Sequence, residues 1–129
     1  MAGSGVLACA SSVTISTIHA PAKINLGLAI LGRHDDGYHE IRSVLATISL
    51  RDTIGFESSP GPADDLRIRS RHGLIASEPN LVISALTALR NAGIPVPPQV
   101  IHLDKRIPVA AGLGGASSNA AATGMRLSR

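Results

Sequence analysis

Three glycines in four positions, Gly112, Gly114 and Gly115, lie within the run Pro108-Val109-Ala110-Ala111-Gly112-Leu113-Gly114-Gly115-Ala116-Ser117-Ser118-Asn119. Glycine lets the backbone turn sharply and bring N–H groups close to an anion, and a helix opening at the same place adds its positive end. The chemistry that suits this run is phosphate binding. It is not a Walker loop, which needs Gly-Lys-Ser/Thr after four residues, because Ser117 and Ser118 follow Gly112 by five and six places. It also departs from the dinucleotide fingerprint, where Ser117 stands in place of the third glycine. The paired hydroxyls can donate to a phosphate or reach Mg²⁺. The plainer alternative is a tight turn with a Ser N-cap.

Two more groups carry polar chemistry. In Ala20-Pro21-Ala22-Lys23-Ile24-Asn25-Leu26, strand alternation puts Lys23 and Asn25 on the face opposite Ile24 and Leu26. An ammonium and an amide there can hold an anionic or hydroxyl-bearing ligand, although a lysine at a strand start is more often simply solvated. The segment Gly32-Arg33-His34-Asp35-Asp36-Gly37-Tyr38-His39-Glu40 is dense in polar groups around an Asp36-Gly37 turn. Its two histidines and two aspartates have no common helical face and no cysteine nearby, so no metal site is expected. A loop that reads a base or a sugar is the functional reading, and a solvated loop the bland one.

A frame to hold these groups can be read from the pattern. Val13, Ile15 and Ile18 predict a first strand, interrupted at Pro21. Ile24, Leu26, Leu28 and Ile30 alternate with Lys23, Asn25, Gly27 and Ala29, as in a strand with one buried face. Gly32 to Tyr38 reads as a loop. Ile41 to Leu50, Asp52 to Glu57 and Leu66 to Arg71 read as three further strands, the last two parted by the Ser58-Ser59-Pro60-Gly61-Pro62 loop. From Asn80 the spacing of Val82, Leu86 and Leu89 predicts a helix, capped by Ser77 or Asn80 and ended by Gly93. Val100, Ile101 and Leu103 predict a strand, Pro108 to Gly115 a turn, and Ala116 onward an Ala-rich helix with little apolar surface beyond Met125 and Leu127. Strands in front and helices later predict an α+β fold. The last helix has so few residues before Arg129 that a fragment is expected.

Composition narrows the classes. The chain has 129 residues, 44% hydrophobic and 16% charged, which predicts one globular domain with a real core. Phe56 and Tyr38 are its only aromatics, so that core is aliphatic and aromatic stacking on single-stranded nucleic acid is disfavoured. Twelve basic against nine acidic residues give +3, an excess that suits an anionic metabolite as well as RNA. Cys9 is the only cysteine, which excludes an intrachain disulfide and fits a reducing compartment. Val6-Leu7-Ala8-Cys9 imitates a lipoprotein signal, but no basic residue and no long apolar stretch precede it. No run reaches the roughly 18 apolar residues of a membrane helix. Residues 1–12 read as a disordered extension of a cytoplasmic protein.

The Lys23 segment, the Asp36-Gly37-Tyr38-His39-Glu40 segment, and Asp104-Lys105-Arg106-Ile107-Pro108 running into the Gly-rich turn occur together in this order. In this the chain resembles the GHMP-type small-molecule kinases, and among them the family acting on a cytidine-diphosphate-linked methylerythritol in the non-mevalonate isoprenoid pathway. The resemblance runs from about Val13 to Leu127. The Gly-rich motif alone would point only to the superfamily, whereas the Asp-Gly-Tyr-His segment separates this family from homoserine and mevalonate kinases.

The resemblance implies transfer of the ATP γ-phosphate to the substrate's 2-hydroxyl, with Mg²⁺ carried by the nucleotide. It implies that residues 13–129 form the N-terminal ATP-binding domain, a mixed sheet with helices on one face, of a type shared with a ribosomal-protein domain. Lys23 matches the active-site lysine. Pro108, Val109, Ala110, Ala111, Gly112, Leu113, Gly114, Gly115, Ala116, Ser117 and Ser118 match the ATP-phosphate loop. Tyr38 and His39 match positions lining the cytidine side, Asn25 and Asn119 are implied substrate or nucleotide contacts, and Lys105 adds charge beside the phosphates. Ala116 replaces a commonly seen glycine. The family's catalytic aspartate lies beyond the Gly-rich helix, so the second domain and that residue are expected to be missing and the chain inactive alone. The expected partners are ATP and the cytidine diphosphate substrate, with no nucleic acid and no membrane. The competing readings are another GHMP kinase and a small basic RNA-binding module, the latter suggested by Arg67, Arg69 and Arg71 alternating onto one side of a strand.

Overall fold

The computed structural model describes residues 15–71, 73 and 80–129. The 1–12 extension, Val13 and the alternative cap Ser77 therefore lie outside the described residues. Strand β1 (Ser16–Arg33) and strand β2 (His39–Ser58) form one long antiparallel hairpin, paired from Ser16 opposite Phe56 to Arg33 opposite His39. Its turn is closed locally: Gly37 takes φ 87°, and the Tyr38 N–H donates to Asp36 Oδ1 at 3.0 Å. An Asp that bonds the backbone two residues on, followed by a residue free to adopt positive φ, is the turn chemistry the sequence carries.

The strands do not break where expected. Pro21 does not interrupt β1, and residues 41–57 form part of one continuous strand. β1 is an edge strand in the sheet order β1-β2-β4-β3, where a missing N–H is tolerated. The irregularity is absorbed as register shifts between Pro21/Lys23, Asn25/Gly27 and Ile30/Gly32.

Strand β3 (Asp65–Ser70) and strand β4 (Gln99–Lys105) are parallel, so a crossover must join them, and helix α1 (Leu81–Asn91) lies in that connection. Asn80 caps α1, accepting from the Val82 N–H at 3.0 Å, and Gly93 follows the helix at φ 81°. Helix α2 (Gly115–Leu127) packs on α1 and on the hairpin. The core lies between this helical layer and one face of the sheet, with Ala20, Ile54, Phe56, Ile101 and Leu103 meeting Val82, Leu86 and Ala122. This is an α+β domain with a mixed sheet and helices on one face, as expected.

Ile24, Leu26, Leu28 and Ile30 are not buried, contrary to their alternation; the last three are 56% to 66% exposed. β4 pairs with β2 only from Thr53 onward, so the hairpin beyond Lys23 is two strands wide. Arg67 and Arg69 do share an exposed face of β3, with Arg67 paired to Asp65 at 2.8 Å, while Arg71 lies in the turn beyond it.

Candidate active site

β4 delivers the chain to the Gly-rich run, and α2 leaves from it. Between them Ala110, Gly112 and Gly114 take φ of 58°, 72° and 71°, left-handed backbone at every second residue. Ala110 does this with a Cβ, a conformation that costs about 1 to 3 kcal/mol and is found mostly where a site needs it. Gly114 is the N-cap of α2, and no side chain caps the helix. The first helical bond runs from the Ser118 N–H to the Gly114 carbonyl at 2.9 Å, which leaves the N–H groups of Gly115, Ala116 and Ser117 without a carbonyl one turn earlier. The Ser N-cap alternative is thereby excluded, and an anion-seeking helix end remains.

Lys23 joins this end from β1. Its backbone N–H donates to the Leu113 carbonyl at 3.0 Å, and its side chain covers Gly114 so closely that a Cβ there would lie 3.1 Å from Lys23 Cγ. The Lys23 ammonium donates to Asn25 Oδ1 at 3.3 Å, so the two residues share a face, as the alternation predicts.

A cavity of about 220 Å³ opens beside the loop. Every residue from Pro108 to Ser117 lines it, with Lys105 and Asn119, and its apolar wall is Ile68, Leu81 and Leu103. Ser118 is absent from the lining. Tyr38 and His39 are elsewhere: they sit at the hairpin turn, Tyr38 76% exposed, and neither lines the cavity. The structure brings together the lysine and the loop but not the loop and the Tyr-His pair. Among the described residues no three His, Cys, Asp or Glu side chains group as a metal site.

Asp52 was not legible as a site residue. Fully buried on β2, it accepts from Lys105 Nζ at 2.5 Å, the Arg106 N–H at 2.7 Å, the Ile107 N–H at 2.8 Å and Asn119 Nδ2 at 2.9 Å. Burial alone would raise its pKa, but these donors together hold it below the ordinary carboxylate value. Lys105 therefore stands beside the loop with its charge already paired. The available signal was an aspartate that alternates onto the same strand face as Leu50, Ile54 and Phe56, a residue type that strands disfavour unless it is bonded. Asn80, cap of α1, was expected only as a cap and also lines the cavity.

Residues 80–129 match the family model of the GHMP kinases N terminal domain. A crystal structure of 4-(cytidine 5'-diphospho)-2C-methyl-D-erythritol kinase superposes with a TM-score of 0.66 at 39% identity, covering 87% of this chain and 39% of that one. In fold and in sequence the chain is a GHMP-kinase N-terminal domain. Two relatives make the match narrower. The 4-diphosphocytidyl-2-C-methyl-D-erythritol kinase of Idiomarina loihiensis is 45% identical over 115 residues, 85% of this chain and 40% of that kinase. The chloroplastic/chromoplastic kinase of the same name from Solanum lycopersicum is 44% identical over 107 residues, 83% of this chain and 27% of that kinase. Within that class the chain is similar to the N-terminal part of the 4-diphosphocytidyl-2-C-methyl-D-erythritol kinases, and it spans well under half the length of either relative.

Proposed function

We propose that this chain supplies the ATP-binding part of an enzyme that transfers the γ-phosphoryl group of ATP to the 2-hydroxyl of 4-diphosphocytidyl-2-C-methyl-D-erythritol in isoprenoid precursor synthesis. The observation that carries the reading is the uncapped N-terminus of α2, reached through three left-handed residues and flanked by Lys23. Three free N–H groups aimed from a helix end, with an ammonium beside them, match the charge that builds on transferring phosphoryl oxygens. The apolar wall of Ile68, Leu81 and Leu103 gives the nucleotide base a dry surface. Ser117, which lines the cavity, would be the residue to meet Mg²⁺ carried with the nucleotide, and the ion would neutralise phosphate charge there. Tyr38 and His39 are assigned to the cytidine end, where a ring and an imidazole offer stacking area and directed hydrogen bonds. The cytoplasm is the compartment we assign.

Among the described residues no carboxylate lines the cavity, and Asp52 has each oxygen engaged by two donors. Charge neutralisation without a group to orient the hydroxyl leaves most of the barrier in place, so the 129-residue chain alone binds MgATP but does not turn over. Calorimetric titration with MgATP, and phosphorylation assays beside a version extended to the length of the relatives, test this. Gly114→Val should abolish binding while the far-ultraviolet circular dichroism stays native. Unchanged affinity in that variant would sink the phosphate-loop assignment, and turnover by the 129-residue chain would show that the proton acceptor lies within it.

A further inference from the structure

Among the described residues Asp52 is the only charged side chain that is buried. Its Oδ2 holds Lys105 Nζ and Asn119 Nδ2, and its Oδ1 holds the N–H groups of Arg106 and Ile107. The four donors come from the end of β4, from the segment entering the phosphate loop, and from α2. One carboxylate thus fixes both ends of the loop. It also keeps the Lys105 ammonium, 12% exposed, at 3.4 Å from where a Gly115 Cβ would lie, alongside the free N–H groups of the helix. Asn119 also lines the cavity, and its Oδ1 is buried with no hydrogen-bond partner, so Asp52 is the group that orients this amide.

We propose that Asp52 is a positioning residue for the phosphate site, acting through Lys105, Asn119 and the backbone of Arg106 and Ile107 rather than on the ligand. The proposal rests on the reading of the loop as an ATP site. Without Asp52 the loop loses its anchor, and Lys105 loses the carboxylate that holds its ammonium beside Gly115. Among the described residues no other acidic group replaces it. Asp104, next to Lys105, is taken by Arg106 at 3.2 Å, β3 brings Arg69 and Arg71 to this end, β1 brings Lys23, and α2 has no acidic residue in its first turn.

The test is titration of MgATP, with inorganic tripolyphosphate as a second probe, into the 129-residue chain and its Asp52→Asn, Lys105→Met and double variants at neutral pH. Asp52→Asn should bind about tenfold more weakly or worse. Lys105→Met should cost several-fold in the wild-type background and little in the Asp52→Asn background, because the ammonium is no longer held at the site. A residue that served only the fold would lower affinity by the same factor with or without Lys105. Wild-type affinity in Asp52→Asn, or losses from the two single variants that simply multiply in the double variant, would overturn the proposal. If Asp52→Asn does not fold, the ¹³C carboxyl signal of Asp52 in the wild-type chain supplies the answer. It should shift when MgATP is added and stay still in Lys105→Met, and a signal unmoved in the wild type overturns the proposal. Failure of the wild-type chain to bind either probe would remove the ATP reading itself, and the positioning role with it.

Discussion

Arg90 and Asp64 form a two-pronged ion pair, Nη1 to Oδ2 at 2.6 Å and Nη2 to Oδ1 at 2.9 Å. Arg90 is in the last turn of α1, and its fork also donates to the carbonyls of Val96 and Pro97, at 2.9 and 3.2 Å. Asp64 Oδ1 takes the Gln99 N–H at 2.9 Å as well. The pair thereby joins the end of the helix, the proline-rich segment after it and the start of β4. A planar fork with several fixed donors can do this, and a single ammonium cannot.

Arg90→Lys should therefore destabilise the domain nearly as much as Arg90→Ala. The cost should be about 1 to 3 kcal/mol, reduced from a fully buried pair because the arginine is partly exposed. Urea unfolding at neutral pH measures it. A lysine variant with the wild-type midpoint would show that charge alone, and not the fork, holds this corner.

The two glycines of α2 should respond in opposite directions. A Cβ on Gly115 would lie 2.9 Å from Ile107 Cγ2 and 3.2 Å from Ile107 Cβ, so Gly115→Val must displace the residue that leads into the loop. Overpacking of this kind costs about 1 to 3 kcal/mol. A Cβ on Gly124 would meet nothing within 4 Å, and the residue lies inside the helix, where Gly124→Ala should stabilise by roughly 0.5 to 1 kcal/mol. Thermal midpoints of both variants decide the matter, and equal shifts of the same sign would contradict the close approach at Ile107.

What could be read from the chain, and what could not, divides along the range of the interactions. The span of α1 followed from Asn80 and Gly93, and the hairpin turn from Asp36 and Gly37, because caps and turns are settled by residues a few positions apart. The Gly-rich turn into α2 was legible for the same reason. The exposure of Leu26, Leu28 and Ile30 was not, since alternation reports which residues share a face and says nothing of whether a third strand or a helix reaches that face. Asp52 escaped notice because its partners Lys105 and Asn119 are 53 and 67 residues away. Tyr38 was placed correctly in the turn, with His39 opening β2 beside it, but the length of the hairpin, which sets them apart from the cavity, depended on strands running through Pro21 and through Arg51.

Acid should unfold the domain through two named groups. Asp64 titrates below the ordinary carboxylate value chiefly because Arg90 donates to it, against the opposing effect of burial. Asp52 is lowered too: burial pushes its pKa up, and the donors from Ile107, Lys105, Arg106 and Asn119 outweigh that push. For both, the folded chain holds a proton less readily than the unfolded chain, whose aspartates titrate near 3.9. The unfolded state therefore binds more protons in the acid range, and stability rises with pH there. The contribution is complete above the unfolded value, from about pH 5, and is lost as pH falls through the lower folded values. Thermal midpoints measured from neutral pH down to about pH 2 should stay level as far as these groups are concerned and then drop below about pH 4. Asp64→Asn should start from a lower midpoint and fall less steeply, because one of the two proton-linked groups is gone. Asp65→Asn is the control, as Asp65 is exposed and, among the described residues, paired with nearby Arg67 alone. An acid limb of equal steepness in wild type and Asp64→Asn would mean that the Arg90 pair does not stabilise the ionised form.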